Sequence, residues 1–189
     1  CSVCLLWPCL SCRDAWGRRL VEVVAMDALH YSQPSSQYCL ASVTRELNKA
    51  YVGFHSRGAP QRHLPAVATG NWGCGAFRGD PHLKSLIQLM AAAQAGRDLC
   101  YFTFGDTALR DSIWEMYRFL QRRRATTGDI LALLKRYEQL CAEKSSSQLS
   151  LYSFIYSAFK GADGSDTDQQ IEGLQTYLEG TTPLIADHY

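Results

Sequence analysis

The chain has 189 residues, 47% hydrophobic and 20% charged, and a formal net charge of +1. That length suits one domain with a sizeable core, and the near-neutral charge excludes a global electrostatic drive toward nucleic acid or membrane. No apolar run approaches the roughly 18 residues of a membrane span, and the N-terminus lacks the basic stretch of a secretory signal.

In chain order, the first feature is the spacing Cys1-x2-Cys4-x4-Cys9-x2-Cys12. Paired CxxC knuckles invite a zinc reading. Only four residues, Pro8 among them in the wider apolar run Leu5-Leu6-Trp7-Pro8, stand between the pairs, where zinc ribbons place a longer folded segment, so no zinc is expected. A chain that opens on Cys1 is expected to be a fragment or a processed product. Residues 20–27, rich in valine and bounded by charge, predict a buried strand, and 32–37 a polar loop. Residues 43–54 carry Val43, Leu47, Ala50, Tyr51 and Phe54 on one face and predict a helix, broken by the Gly and Pro of 56–60.

Residues 66–69 predict a short buried strand. The glycine-rich stretch Gly70-Asn71-Trp72-Gly73-Cys74-Gly75-Ala76-Phe77-Arg78-Gly79 follows, and Asp80-Pro81 then opens a helix as N-cap and first residue. Strand, glycine loop, helix is an order that aims backbone N–H groups and a helix N-terminus at one spot, which suits an anion such as a pyrophosphate. A tight turn is the alternative. Trp72 and Phe77 offer flat apolar walls.

The helix expected over 81–95 has Leu83, Leu86, Ile87, Met90 and Ala91 on one face and Gly96 to end it. Residues 98–104 predict a second buried strand, completing a parallel strand–helix–strand unit. A further helix follows Asp106 and ends in Arg122, Arg123 and Arg124, which suit its dipole as capping cations. Thr126 and Asp129 start another, to about Lys144; residues 145–147 read as a linker, 151–159 as an aromatic helix, and 161–189 as a disordered tail. Cys39, Cys74, Cys100 and Cys141 are dispersed and read as buried free thiols.

The chemistry in these patterns is sparse. Gly73, Gly75 and Gly79 give G-x-G-x-x-x-G, so Arg78 occupies the third glycine position of a dinucleotide fingerprint, and no P-loop ending is present. Spacing alone makes Phe104 a core residue of its strand. The five histidines, His30, His55, His63, His82 and His188, form no metal-ligand or nucleophile pattern, and Asp80 and Asp106 are explained as helix caps.

As whole strings, residues 66–77 (AVATGNWGCGAF), 101–106 (YFTFGD), 45–51 (RELNKAY) and 151–156 (LYSFIY) closely resemble, in order and spacing, the C-terminal half of the catalytic domain of the poly(ADP-ribose) glycohydrolases. The resemblance runs over about 13–160. It implies an α/β fold: a partial macrodomain-like α/β/α sandwich with accessory C-terminal helices and its N-terminal sheet strands missing. Residues 1–12 stand outside it as a non-matching Cys-rich segment, the expected mark of an alternative first exon, a translated intron or a gene-model error. The implied reaction is hydrolysis of ribose–ribose O-glycosidic bonds in poly(ADP-ribose) to ADP-ribose, with no metal or organic cofactor.

The resemblance also implies the site. The loop matching Asn71, Trp72, Gly73, Cys74, Gly75, Ala76 and Phe77 wraps the diphosphate and distal ribose, and the residue matching Phe104 stacks on adenine. The family's general acid, a glutamate in a Gly-Gly-Gly…Gln-Glu-Glu loop, has no counterpart, since this sequence contains neither Gly-Gly-Gly nor Glu-Glu. No catalytic residue is therefore assigned, and the chain alone is expected to be inactive. The implied partners are poly(ADP-ribose), ADP-ribose and poly(ADP-ribosyl)ated proteins, with no membrane and no sequence-specific nucleic acid, for a monomer in the nucleus or cytoplasm. A non-catalytic ADP-ribose binder and a Cys-rich interaction module are the alternatives.

Overall fold

The structure, a computed structural model, describes residues 15–17, 21–55, 64–142 and 149–162. The cysteines at 1, 4, 9 and 12, the linker at 145–147 and nearly all of the 161–189 tail lie outside these. The elements run α1 (Leu40–Phe54), β1 (Val67–Gly70), α2 (Pro81–Gln94), β2 (Leu99–Phe102), α3 (Thr107–Arg122), α4 (Thr127–Ala142) and α5 (Leu151–Ala162). The loop expected at 32–37 is instead mostly a 3-10 turn over Pro34–Tyr38, with the Gln37 amide donating to Pro34 O at 2.7 Å. The tail expected from 161 begins inside α5, whose last residue is Ala162.

Helices α2, α3 and α4 begin where the sequence supplies a side-chain cap; α1 starts after Cys39 without one. Asp80 accepts from His82 N–H at 2.8 Å and Asp106 from Leu109 N–H at 2.9 Å. Thr126 and Asp129 bond reciprocally: Asp129 N–H donates to Thr126 Oγ1 at 3.1 Å, and Thr126 N–H to Asp129 Oδ2 at 2.7 Å. Gly96, at φ +64, closes α2, with Arg97 N–H returning to Ala92 O at 2.9 Å. The helix α2 is central. It touches α1, α3, α4 and α5, and its Leu83, Leu86, Ile87, Met90, Ala91 and Ala92 are all buried.

β1 and β2 pair in parallel, Val67 opposite Leu99 and Gly70 opposite Phe102. This is the expected strand–helix–strand unit, shorter at its far end because Phe104 and Gly105 take positive φ, +55 and +90, and turn the chain out of the ladder. Val67 and Leu99 pack on the helical core, whereas Ala68, Cys100 and Phe102 point to an open face. Among the described residues, the α/β/α expectation is thus realised as a sheet covered on one side.

Residues 21–27 correct a second expectation. They form no strand, and Val21, Val23 and Val24 are 65%, 89% and 53% exposed. A valine-rich run becomes a strand only when its N–H and C=O groups find a ladder, and this run pairs with neither β1 nor β2. Of the four dispersed cysteines, all are free thiols, but Cys100 is exposed and the rest only partly buried. No helix among the described residues is long and apolar enough to cross a membrane.

Candidate functional site

The glycine loop leaves the C-terminal end of β1 and folds on itself. Trp72 N–H donates to Gly70 O at 2.7 Å, Cys74 N–H to Asn71 O at 3.0 Å, Arg78 N–H to Gly75 O at 2.9 Å and Gly79 N–H to Gly73 O at 2.9 Å. Two of its glycines are demanded by space. A Cβ on Gly70 would lie 2.6 Å from Phe102 O and 2.7 Å from the Phe104 ring. Gly73 has φ +74, and a Cβ there would lie 2.7 Å from Ala28 Cβ and 3.2 Å from Lys84 Nζ. Gly75, by contrast, faces open space. Among the described residues, the N–H groups of Gly75, Ala76 and Phe77 have no protein acceptor, so the loop's outer limb is where donors point outward.

The first turn of α2 is not that donor site. Asp80 takes the helix's leading N–H, and its Oδ2 accepts from Tyr38 O–H at 2.6 Å while Gln37 Oε1 holds its own N–H at 2.6 Å. Burial alone would raise the Asp80 carboxyl, but the bonds from His82 and Tyr38 outweigh it and hold it below the usual carboxylate range. Asp80 is a cap with both carboxylate oxygens bonded within the protein.

The two aromatic walls part company. Trp72 turns inward: its indole N–H donates to Met26 O at 3.1 Å, and Lys84 Nζ lies 4.0 Å from the ring centroid. Phe77 stays 44% exposed, edge-on to His30 at 6.0 Å, with its carbonyl accepting from Tyr31 N–H at 3.0 Å. Phe104, which spacing places in the core, is 83% exposed, and its ring edge abuts Gly70. Asn71 Oδ1 accepts from Tyr101 O–H at 3.0 Å, tying the loop to β2. Gly73, Cys74 and Ala76 contribute backbone. The sequence-predicted residues therefore do come together, with Trp72 facing the protein rather than the open side.

Beneath the loop lies a polar floor that sequence reasoning missed. Lys84 and Glu46 are both fully buried, and Lys84 Nζ donates to Glu46 Oε1 at 2.5 Å. The same Oε1 accepts from Leu29 N–H at 2.8 Å, and Oε2 from Arg45 Nη1 at 2.7 Å. Arg45 and Lys49 also grip Asp27. On the strand side, Gln88 donates to Gly70 O at 3.0 Å and accepts from Thr69 Oγ1 at 2.6 Å. The signal was present in the sequence. Glu46 falls on the stripe of Val43 and Ala50, and Lys84 on the stripe of Leu83 and Ile87, so two helices each carry one charge of opposite sign on an apolar face.

Two expected outcomes follow from these environments. Hydrogen bonds from Lys49 and then Arg45 lower the exposed Asp27 carboxyl to about 2. A depressed carboxylate stabilises the fold above its unfolded pKa and loses that contribution as pH falls through the folded one. The difference in melting temperature between wild type and Asp27→Asn should accordingly shrink between pH 4 and 2, a window set by the ordinary carboxylate value of 3.8 and the folded value of about 2. Burial pushes the Cys74 thiol up to about 11, with Lys84 opposing. Its thiolate fraction at pH 8 is then about a hundredfold below that of an ordinary thiol, so iodoacetamide mass mapping should show exposed Cys100 alkylated well before Cys74.

The arrangement is an outward-facing donor loop beside an exposed aromatic ring, with its nearby carboxylates Glu46, Asp27 and Asp80 each bonded within the protein. Among the described residues no group of three His, Cys, Asp or Glu side chains could hold a metal ion.

Residues 10–111 match the model of a family described as poly (ADP-ribose) glycohydrolase (PARG), macro domain fold. The chain is similar to poly(ADP-ribose) glycohydrolase 2 of Caenorhabditis elegans, 38% identical over 129 residues that cover 66% of this chain and 26% of that protein. It is similar to poly(ADP-ribose) glycohydrolase 1 of the same organism, 33% identical over 150 residues, 73% of this chain and 19% of that protein. Poly(ADP-ribose) glycohydrolase 1 of Arabidopsis thaliana is 44% identical over 72 residues, 38% of this chain and 13% of that protein. The match thus spans about a quarter or less of the length of these curated relatives.

Proposed function

Because the chain belongs to the poly(ADP-ribose) glycohydrolase family, we propose that it carries the ligand-holding half of a site that hydrolyses ribose–ribose O-glycosidic bonds in poly(ADP-ribose) to ADP-ribose. On this reading the open N–H groups of Gly75, Ala76 and Phe77 meet the diphosphate, with Asn71 and Phe77 beside the distal ribose. Phe104 supplies the stacking face for adenine. The observation that carries the reading is Phe104 itself: an 83% exposed ring, on a backbone at φ +55, set edge-on to the glycine loop at Gly70. An exposed aromatic in a disfavoured backbone conformation has no packing reason to be there, and a flat ligand supplies one.

Glycoside cleavage needs a carboxylic acid to protonate the leaving oxygen and a carboxylate to activate water or stabilise the sugar cation. The sequence holds neither Gly-Gly-Gly nor Glu-Glu, and the carboxylates around the loop are committed to structure. The 189 residues are accordingly assigned binding without cleavage. The physiological ligand is the polymer on poly(ADP-ribosyl)ated proteins of the nucleus or cytoplasm, met by a monomer. Calorimetric titration of the full chain with ADP-ribose tests the binding assignment, and incubation with poly(ADP-ribose) tests the rest. One-to-one heat with no ADP-ribose release is the expected result. No heat overturns the binding assignment, and release of ADP-ribose overturns the assignment of no cleavage.

A further inference from the structure

We infer that the buried Lys84–Glu46 pair is the positioning device of the glycine loop, so that ligand affinity depends on two side chains that never touch the ligand. The inference rests on the ADP-ribose-binding reading of that loop. Lys84 lies under it at full burial. Its Nζ is 3.2 Å from where a Gly73 Cβ would be, and its Cε is 3.2 Å from where a Gly79 Cβ would be. Gly73 and Gly79 are the two residues that the loop's own closing bond, Gly79 N–H to Gly73 O, brings together. The same ammonium sits on the face of Trp72 at 4.0 Å. The base of the loop is therefore built around one cation.

Glu46 is what keeps that cation in place and what ties the loop to the rest of the chain. An ammonium fully removed from water needs a carboxylate with good geometry, and the 2.5 Å contact to Oε1 supplies it. Because Oε1 also accepts from Leu29 N–H and Oε2 from Arg45, the pair fixes residues 26–31 as well. That segment grips the loop's other side, where Met26 O holds the Trp72 indole and Tyr31 N–H holds Phe77 O. Both walls of the loop lead back to one carboxylate.

The device must be separated from a merely structural role. Lys84→Met removes the charge and keeps the stem, leaving Glu46 buried and unpaired. The double variant Glu46→Leu/Lys84→Met removes both charges, and such replacements restore stability. ADP-ribose is titrated into the full chain and each variant by calorimetry, and amide hydrogen exchange is followed at 71–77 and in α4. In the double variant the melting temperature is expected to return to near wild type. ADP-ribose affinity should stay at least tenfold weaker, and exchange at 71–77 should rise while α4 is unchanged. A double variant with wild-type affinity and wild-type loop exchange overturns the inference. If wild type itself shows no heat, the binding reading falls, and the loop exchange alone decides whether the pair positions the loop.

Discussion

Phe104→Ala is expected to weaken ADP-ribose binding roughly 5- to 100-fold, since a base stacked on an aromatic side chain contributes about 1–3 kcal/mol. The same substitution should leave the melting temperature unchanged. The ring is 83% exposed, so its truncation opens no cavity, and its edge abuts Gly70. Phe104→Gly sharpens the test. A bulky residue at φ +55 carries left-handed strain of about 1–2 kcal/mol, which glycine relieves. The glycine variant should thus be slightly more stable than wild type while binding as poorly as alanine. Equal affinity of wild type and both variants, measured by calorimetry with ADP-ribose, would remove Phe104 from the site.

Breaking the buried ion pair has the largest expected effect on stability. Glu46→Gln or Lys84→Met should each destabilise the fold by about 3–5 kcal/mol, because one charge is left in a dry interior without its partner. Both side chains have zero exposure, so water cannot compensate. In a chain of this size, each kcal/mol lowers the melting temperature by about 2–4 °C, so the single variants should melt roughly 6–20 °C lower. Glu46→Leu/Lys84→Met should recover most of that loss. Two single variants with wild-type melting temperatures would mean that water reaches the pair in solution.

Much of the fold was legible because much of it is local. Asp80-Pro81, Asp106 and the Thr126/Asp129 pair announce three helix starts, and the structure places all three where those residues stand. The apolar stripes of α1 and α2 and the stop at Gly96 were equally plain. The failures share a cause too. Residues 20–27 have the composition of a strand, but a strand exists only in its ladder, and composition says nothing about whether an edge is at hand. Phe104 has the neighbours of a core residue in Tyr101, Phe102 and Thr103, yet the positive φ of Phe104 and Gly105 turns it out at the last step.

The candidate site divides the same way. Its loop was visible as a string, and its resemblance to a family named the ligand class. Its floor left a signal only in the lone charge on each of two apolar stripes, and the pairing itself was hidden, because Lys84 and Glu46 are 38 residues apart and Trp72 and Met26 are 46 apart.

The sequence by itself determined the helices, their caps, the parallel strand pair, the glycine loop and the family. Propensity, capping and periodicity act over a few residues, and those residues are adjacent in the chain. Only the tertiary structure decided that Trp72 turns in and that Phe104 turns out, where spacing alone puts Phe104 in the core and the family resemblance puts it against the ligand. It also decided that Tyr38 and Gln37 engage the Asp80 cap and that the Lys84–Glu46 pair lies buried beneath the loop. Those outcomes depend on which distant groups share a space too small for water, where a charge must find its counter-charge and a glycine must yield room for both.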